Sequence, residues 1–175
     1  DQKEGPDFYG SEPPYPRLSD RSDVLVFETE PLAEPVEVTG RMKVHLWISS
    51  SALDTDFTAK LVDVHPPNED YPEGYDLLLN DTVIRTRYRE GFDREAMMEP
   101  GTQYTVRMLL PPTSNVFAQG HRLRVDVSSS NFPRLERNPN TGEPIGRHTR
   151  HVVAEQAVYA DAEHASRVVL PVVPG

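Results

Sequence analysis

The segment Met42-Lys43-Val44-His45-Leu46-Trp47-Ile48-Ser49 is the clearest structural signal in this chain, because large aliphatic side chains occupy every second position. Successive side chains of a β-strand point to opposite faces, so these aliphatic residues would share one face. Residues 122–128 repeat the alternation with Leu123, Val125 and Val127. Both segments are therefore predicted to be half-buried strands that contribute one face to a core.

Similar patterns recur along the chain, and no segment keeps a capped 3.6-residue apolar period, so long helices are not expected. Turn signals separate the patterns, such as Glu99-Pro100-Gly101 and a corner expected at 115–120. This spacing predicts an all-β fold of about nine antiparallel strands in two packed sheets, a β-sandwich or jelly roll. The predicted strands are Val24–Glu28, Met42–Ser49, Phe57–Val64, Tyr75–Leu79, Thr82–Arg89, Gln103–Leu110, Arg122–Ser128, His151–Tyr159 and Arg167–Val173.

The domain organisation follows from where proline concentrates. Residues 1–22 contain Gly5-Pro6, Pro13-Pro14 and Pro16, a composition that suits an extended, Pro-rich lead-in rather than a sheet. Residues 23–175 are predicted to form one folded domain, and 175 residues suffice for a substantial core. The chain does not start with Met, so we expect it to be part of a longer polypeptide.

Composition excludes several classes of function. A formal net charge of -10 argues against nucleic acid and anionic membranes as partners, because both require a basic surface. The absence of cysteine rules out disulfides, thiolate catalysis and cysteine-ligated zinc. It fits either a reducing cytosol or an export route that avoids thiols, so the compartment stays unknown, with the cytoplasm favoured. No apolar run approaches the length of a membrane span.

The sequence offers no catalytic site. A serine hydrolase with an α/β fold needs a Gly-x-Ser-x-Gly nucleophile turn, which is absent here. Ser49–Ser51 and Ser128–Ser130 follow predicted strands, where hydroxyls usually bind backbone groups. Of six histidines, only His148 and His151 are close in sequence, and we interpret all six as scattered residues rather than metal ligands. No catalytic residue and no cofactor are predicted.

Asp54 and Asp56 are weak candidates for a cation site, because clustered carboxylates suit hard cations such as calcium. The favoured interpretation is that Asp54-Thr55-Asp56 opens a strand and that its side chains bind local backbone donors. No EF-hand spacing surrounds the pair, and no third ligand completes a set. No metal is therefore predicted.

Arg85, Arg87 and Arg89 alternate with Thr86 and Tyr88 in one predicted strand, so the three guanidinium groups would project from one face. Their partners could be acids of this chain or carboxylates of a neighbouring domain, since arginine favours bidentate pairing at interfaces. A solvated sheet face is the third alternative. The sequence leaves these alternatives open.

Four stretches carry a resemblance to a known family, and they read DTDFTAKLVDV (54–64), SSSNFPR (128–134), RNPNTG (137–142) and EHASRVVLP (163–171). In this order they resemble the C-terminal β-sandwich domain of the CocE/NonD serine hydrolases, the family of cocaine esterase, X-prolyl dipeptidyl-peptidase and α-amino-acid ester hydrolase. The resemblance spans about residues 23–174. It implies a jelly roll of the galactose-binding-like kind, with the catalytic triad in other domains.

The two loops within this resemblance combine an apolar residue, proline and side-chain amides, a composition that holds one shape. They could stabilise the sandwich itself or form a docking face, and the sequence does not separate these roles. The resemblance implies that the domain packs on an α/β hydrolase domain, and that the family's first strand or two are missing here, leaving an edge exposed. The structural or interface candidates are Arg85, Arg87, Arg89, Asn131, Phe132, Arg134, Arg137, Asn138 and Asn140.

Two functions are compatible with these observations. In the first, the chain is a non-catalytic C-terminal domain of a serine hydrolase acting on esters, amides or Xaa-Pro peptides. Its partner is the α/β catalytic domain of the same polypeptide, and homo-oligomer contacts are a further role. In the second, it is a free-standing carbohydrate-type module. Trp47 lies within a strand and the loop aromatics form no obvious platform, which favours the first function.

Overall fold

The computed structural model describes residues 17–174. The predicted lead-in over residues 1–22 lies mostly outside this part, and the boundary at Asp23 stays a prediction. In the described part of that segment, Leu18–Asp20 forms a 3-10 turn and Arg17 Nη1 lies 3.9 Å from Asp76 Oδ1. No helix within residues 17–174 is long and apolar enough to cross a membrane.

Within residues 17–174 the chain forms ten strands and a second 3-10 turn, Thr86–Tyr88. The strands are β1 (Leu25–Glu28), β2 (Val36–Gly40), β3 (Lys43–Ser50), β4 (Asp56–His65), β5 (Tyr75–Arg85), β6 (Tyr104–Leu109), β7 (Thr113–Phe117), β8 (Arg122–Ser128), β9 (Gln156–Tyr159) and β10 (Arg167–Val169).

The strands pair into two main antiparallel sheets and a ribbon. The four-stranded sheet has the order β1-β8-β4-β5, which makes β1 and β5 its edges. In the second sheet, which we call the β3 sheet, β6 pairs with one side of β3, while β9 and β10 share the other side. The ribbon pairs β2 with β7. The prediction of an all-β sandwich is confirmed; the jelly-roll topology and the galactose-binding-like relationship stay predictions.

The core lies between the two main sheets. In β3, Val44 and Ile48 are fully buried while Lys43 is exposed, which confirms the alternation read from the sequence. Full burial of a Val, Leu or Ile side chain contributes about 1.5–3 kcal/mol relative to exposure, so this alternation is the main force that fixes the strand faces. The other core side chains from both sheets include Leu46, Phe57, Ala59, Leu61, Val106, Met108, Leu123, Val125 and Val127.

Two strands were missed by the sequence pattern. The corner expected at 115–120 is partly wrong, because β7 runs to Phe117 and the turn follows it, with the His121 N–H donating to the Ala118 carbonyl at 3.1 Å. β7 reads Thr-Ser-Asn-Val-Phe, which is too polar to reveal a strand alone, and it is specified by pairing with β2.

The predicted turn at Glu99-Pro100-Gly101 is present, with the Thr102 N–H bonded to the Glu99 carbonyl and Gly101 at φ 80°.

The predicted strands Tyr75–Leu79 and Thr82–Arg89 are one continuous strand that ends earlier, at Arg85. A register shift opposite Leu61 and Val62 lets β5 continue past the polar pair Asn80-Asp81, which had indicated a break. Two other predicted strands were longer than the strands observed. β9 begins at Gln156 rather than His151, and β10 ends at Val169 rather than Val173.

Candidate functional site

A buried carboxylate, Asp54, organises the end of the sandwich where β4 begins. Its Oδ1 accepts hydrogen bonds from the Thr86 hydroxyl at 3.1 Å and the Arg87 backbone N–H at 2.9 Å. Its Oδ2 accepts from Arg87 Nε at 2.8 Å and Asn138 Nδ2 at 3.0 Å. Both oxygens are thus fully engaged, and charge-assisted bonds of this kind are about twice as strong as neutral ones.

Asp56 extends the same network. Arg85 donates to it through Nε at 2.9 Å and Nη2 at 3.1 Å, a bidentate pair, and Asn138 Nδ2 lies 2.8 Å from Asp56 Oδ1. The hydrogen bond to Asp56 is the main cause of a raised pKa at Arg85. We refer to Asp54, Asp56, Arg85, Arg87 and Asn138 as the Asp54 cluster.

The prediction that Arg85, Arg87 and Arg89 project from one strand face is wrong. β5 ends at Arg85, and Arg87 lies in the 3-10 turn that follows, where its side chain is 2% exposed. Arg89 turns inward to donate to the carbonyls of Thr86, Ala96 and Met97, and stacks on the Tyr104 ring at 4.3 Å. The solvated-face alternative is therefore wrong for Arg87 and Arg89, and the partners found are within this chain.

The cation alternative for Asp54 and Asp56 finds no support in these contacts. The guanidinium of Arg87 and the amide of Asn138 already occupy Asp54, and Arg85 and Asn138 occupy Asp56. A metal ion would have to displace two positive charges. The favoured interpretation, binding of local backbone donors, differs from the geometry: most donors are distant side chains, and the backbone N–H of Arg87 is 33 positions from Asp54.

The loop segment over residues 131–138 is held at both ends, consistent with a loop of one shape. At its start, Asn131 Nδ2 donates to Asp81 Oδ2 at 2.8 Å, and Arg134 also binds the Asp81 carboxylate. At its end, Asn138 belongs to the Asp54 cluster. Between the two anchors, the Arg137 guanidinium lies 4.4 Å from the centroid of the exposed Phe132 ring.

The backbone conformation at Asn140 explains why an amide residue occupies this position of the loop. Its φ of 62° lies in the left-handed region, which Asn tolerates better than most residues. Its backbone N–H bonds to Asn138 Oδ1 at 2.9 Å, and its Nδ2 donates to the Val152 carbonyl at 2.9 Å. The amide-rich loop is therefore stabilised mainly by contacts within the domain.

At one side of the sandwich, side chains are left without such internal contacts, because β1 borders a groove that leads into the core. All four residues of β1 are exposed, including Leu25, Val26 and Phe27, the last at 45%. The groove has a volume of about 360 Å³ and opens between the edges of the two sheets. We call β1 and this groove the open edge; its lining includes Phe27, Leu46, Leu61, Leu123, Val125, Val127, Val168 and Leu170.

An exposed row of apolar residues over an apolar groove is unusual on a surface that meets only water. Among the described residues, Phe27 is the one aromatic side chain that lines the groove, and most of the other lining side chains are aliphatic. Sugar recognition favours aromatic platforms with convergent polar groups, so this lining gives the carbohydrate-module alternative no support. The lining is suited to packing against another apolar protein surface.

The histidines are less scattered than the sequence indicated. His148 and His151 do lie together, with ring centroids 5.0 Å apart, and His164 packs against Trp47 at 5.0 Å. The sequence missed a third association, between His65 and His121, which are separated by more than fifty residues. Only the antiparallel pairing of β4 with β8 brings them together, and no local motif could have shown it.

An all-β sandwich whose Asp54 cluster and loop are satisfied internally, and whose open edge is apolar and exposed, is the architecture of a domain that packs against another part of a protein. Comparison with known proteins agrees. Residues 3–169 match the family described as the X-Pro dipeptidyl-peptidase C-terminal non-catalytic domain, and this chain belongs to that family. The resemblance read from the four sequence stretches is confirmed.

Individual relatives give the same assignment. The chain is 46% identical over 158 residues to cocaine esterase of Rhodococcus sp. (strain MB1 Bresler), covering 89% of this chain and 26% of that protein. It superposes on a solved α-amino acid ester hydrolase with a TM-score of 0.84 and 37% identity, over 89% of this chain and 26% of the other. An aminopeptidase from a marine sediment Thaumarchaeota archaeon gives a TM-score of 0.83 and 35% identity, over 89% and 27%. The chain thus spans about a quarter of the length of these relatives.

Proposed function

We propose that this chain is the accessory domain of a CocE/NonD-type α/β serine hydrolase, and that the catalytic part of the same polypeptide covers its open edge. The hydrolase would cleave esters, amides or Xaa-Pro peptides with a Ser-His-Asp triad outside this chain. The observation that carries the proposal is the open edge itself. It supplies the apolar surface that a covalently linked neighbour would bury.

The length of the relatives and the apolar lining of the groove support the catalytic part as the occupant. Relatives of this chain are three to four times longer, and three of them are a cocaine esterase, an ester hydrolase and an aminopeptidase. The remaining three quarters of such a polypeptide would provide the neighbouring surface. The end of the sandwich that carries the Asp54 cluster is the weaker candidate for docking, because its charged groups already have partners within the domain.

Burying β1 would also protect an edge strand. The outer side of β1 has no strand neighbour among the described residues, and unpaired edges invite aggregation. A catalytic domain packed there would restrain the sandwich and place it beside the substrate cleft. The domain's effect on catalysis would then be on stability and cleft access, since the chain contributes no reacting group.

The proposal can be tested in the longer polypeptide with the double variant Leu25→Asp/Phe27→Asp and the control Phe92→Asp. Phe92 is 90% exposed and belongs neither to β1 nor to the lining of the groove. We expect wild type and the control to unfold in one thermal transition, and the double variant to unfold in two, because the domain no longer docks. A single transition for the double variant at the wild-type temperature would contradict the proposal. Loss of dimers alone, seen by light scattering, would assign the open edge to a second copy instead.

A further inference from the structure

A second polar cluster lies at the far end of β4 from the Asp54 cluster, about 30 Å away for a strand of this length. It comprises Asp63 and His65 at the end of β4, and His121 just before β8. His121 Nδ1 lies 2.8 Å from Asp63 Oδ1, and His65 Nε2 lies 3.5 Å from Asp63 Oδ2. One ligand atom from each residue falls within 4.8 Å of the other two.

Strand pairing explains why the three residues converge. Asp63 and His65 are two residues apart, so they share a face of β4. In the register with β8, Asp63 opposes Leu123 and Val64 opposes Arg122, which carries His121 to the position opposite His65. The two imidazole rings consequently lie with centroids 4.2 Å apart.

A hydrogen-bonded Asp63–His121 pair accounts for only part of this arrangement. It leaves His65 Nε2 shielded from solvent and without a hydrogen-bond partner among residues 17–174, although the His65 side chain as a whole is 30% exposed. A buried polar atom without a partner is costly and calls for an explanation. A bound cation would use this nitrogen together with the Asp63 carboxylate.

We propose that Asp63, His65 and His121 bind a divalent transition metal ion of the zinc class. Two imidazoles and one carboxylate form a donor set that such ions favour over calcium or magnesium. Metal–ligand distances of about 2.0–2.2 Å put neighbouring ligand atoms about 3.3 Å apart, so the widest pair must close by about 1.5 Å. Side-chain rotation of the half-exposed His65 can supply most of this movement.

The surroundings suit such a site. Asn115 Nδ2 lies 3.4 Å from Asp63 Oδ2 and can orient the carboxylate, as hydrogen-bond partners of metal ligands commonly do. The side chains of His65 and His121 are partly exposed while that of Asp63 is 4% exposed, so the site lies close to the surface on the histidine side. A water molecule would complete the coordination. This inference is independent of the proposed docking at the open edge.

The test is calorimetric titration of the chain with ZnCl2, and with MgCl2 as the comparison ion, followed by NMR of the histidine imidazoles. We expect one zinc ion per chain, no magnesium binding, and zinc-induced shifts at His65 and His121. His65→Gln and His121→Gln should each weaken zinc binding more than about 10-fold. The control His148→Gln/His151→Gln removes the other histidine pair and should leave binding unchanged.

His65→Gln is the variant less expected to disturb folding, because the His65 side chain is the more exposed of the two. The NMR shifts test zinc binding in the wild-type chain and need no variant. Absence of zinc binding at millimolar concentration in the wild-type chain would overturn the proposal. So would zinc-induced shifts confined to His148 and His151, or zinc affinity lost only in the control variant.

Discussion

Asp54 and Asp126 are both buried carboxylates, one just before β4 and the other in β8, yet their surroundings differ. Asp54 accepts four hydrogen bonds, two of them from Arg87. Asp126 forms an ion pair with Arg124, whose Nε lies 3.0 Å from its Oδ1, and no further hydrogen bond to its oxygens is found among residues 17–174. Burial raises the pKa of Asp126 despite the charge of Arg124.

The contrast extends to the two regions that contain these residues. The Asp54 cluster satisfies its own charges and fixes the loops around it. Asp126 opposes Val26 of β1 on the face of the sheet away from the groove, while Phe27, Val125 and Val127 face the groove, and the apolar side chains of β1 are exposed. A region that completes its own contacts serves the domain, whereas a region left incomplete indicates a partner. This difference is what assigns the roles of the two regions, and four variants test it.

Asp54→Ala should have the largest effect. It leaves the buried Arg87 guanidinium without its main partner, and breaking a buried ion pair in this way costs about 3–5 kcal/mol. Urea unfolding of the chain measures the loss. The matched control is Glu95→Gln, which removes the exposed partner of the same arginine and should cost less than about 1 kcal/mol. Equal effects of the two variants would contradict the role assigned to Asp54.

Asn138→Ala should come second. It removes the donor shared by Asp54 and Asp56 and releases the loop from the cluster, for an expected loss of about 1–3 kcal/mol. The control Asn140→Gly keeps the left-handed backbone and should cost less than about 1 kcal/mol. Hydrogen exchange across residues 131–143 should also accelerate in Asn138→Ala. Unchanged exchange there would show that the loop does not depend on this anchor.

Asp126→Asn should have a smaller, pH-dependent effect. Because the pKa of folded Asp126 lies above its ordinary value of 3.8, the folded state holds the proton at pH values where the unfolded state has lost it. Ionised Asp126 therefore costs stability that accumulates as pH rises from about 4 and is complete above the folded pKa. The stability of Asp126→Asn relative to wild type should improve between pH 4 and pH 7 in urea titrations. A difference that is constant, or that declines, would contradict this description.

Leu25→Asp/Phe27→Asp should have the smallest effect on the chain alone, less than about 1 kcal/mol, because both side chains are exposed there. Phe117→Ala, which empties a fully buried position, provides the positive control at about 3–5 kcal/mol. Thermal or urea unfolding measures both. A large loss in the double variant would mean that the open edge belongs to the domain's own core rather than to an interface.

Much of the fold could be predicted because alternation is a local signal. Val44, Leu46 and Ile48 in β3, and Leu123 to Val127 in β8, place their side chains in the core as the sequence indicates. β2 and β7 were not predicted, because β7 carries few apolar residues and depends on pairing with β2. The continuity of β5 depends on a register shift that no local pattern reveals.

The candidate sites were less predictable, since each depends on contacts distant in sequence. Asp54 and Asn138 were both singled out, but the hydrogen bond between them joins residues 84 positions apart. The same is true of Arg87, whose buried position follows from a 3-10 turn that Asp54 stabilises through the Thr86 hydroxyl and the Arg87 N–H. His65 and His121 were interpreted as scattered because only the β4–β8 register brings them together.

The most direct test of the account is hydroxyl-radical footprinting of Phe27, in this chain alone and in the longer polypeptide, with Phe92 as the internal reference. We predict that Phe27 is readily oxidised in the chain alone and strongly protected in the longer polypeptide, while Phe92 reacts in both. Equal oxidation of Phe27 in the two forms would show that the catalytic part does not cover the open edge, and would contradict the account.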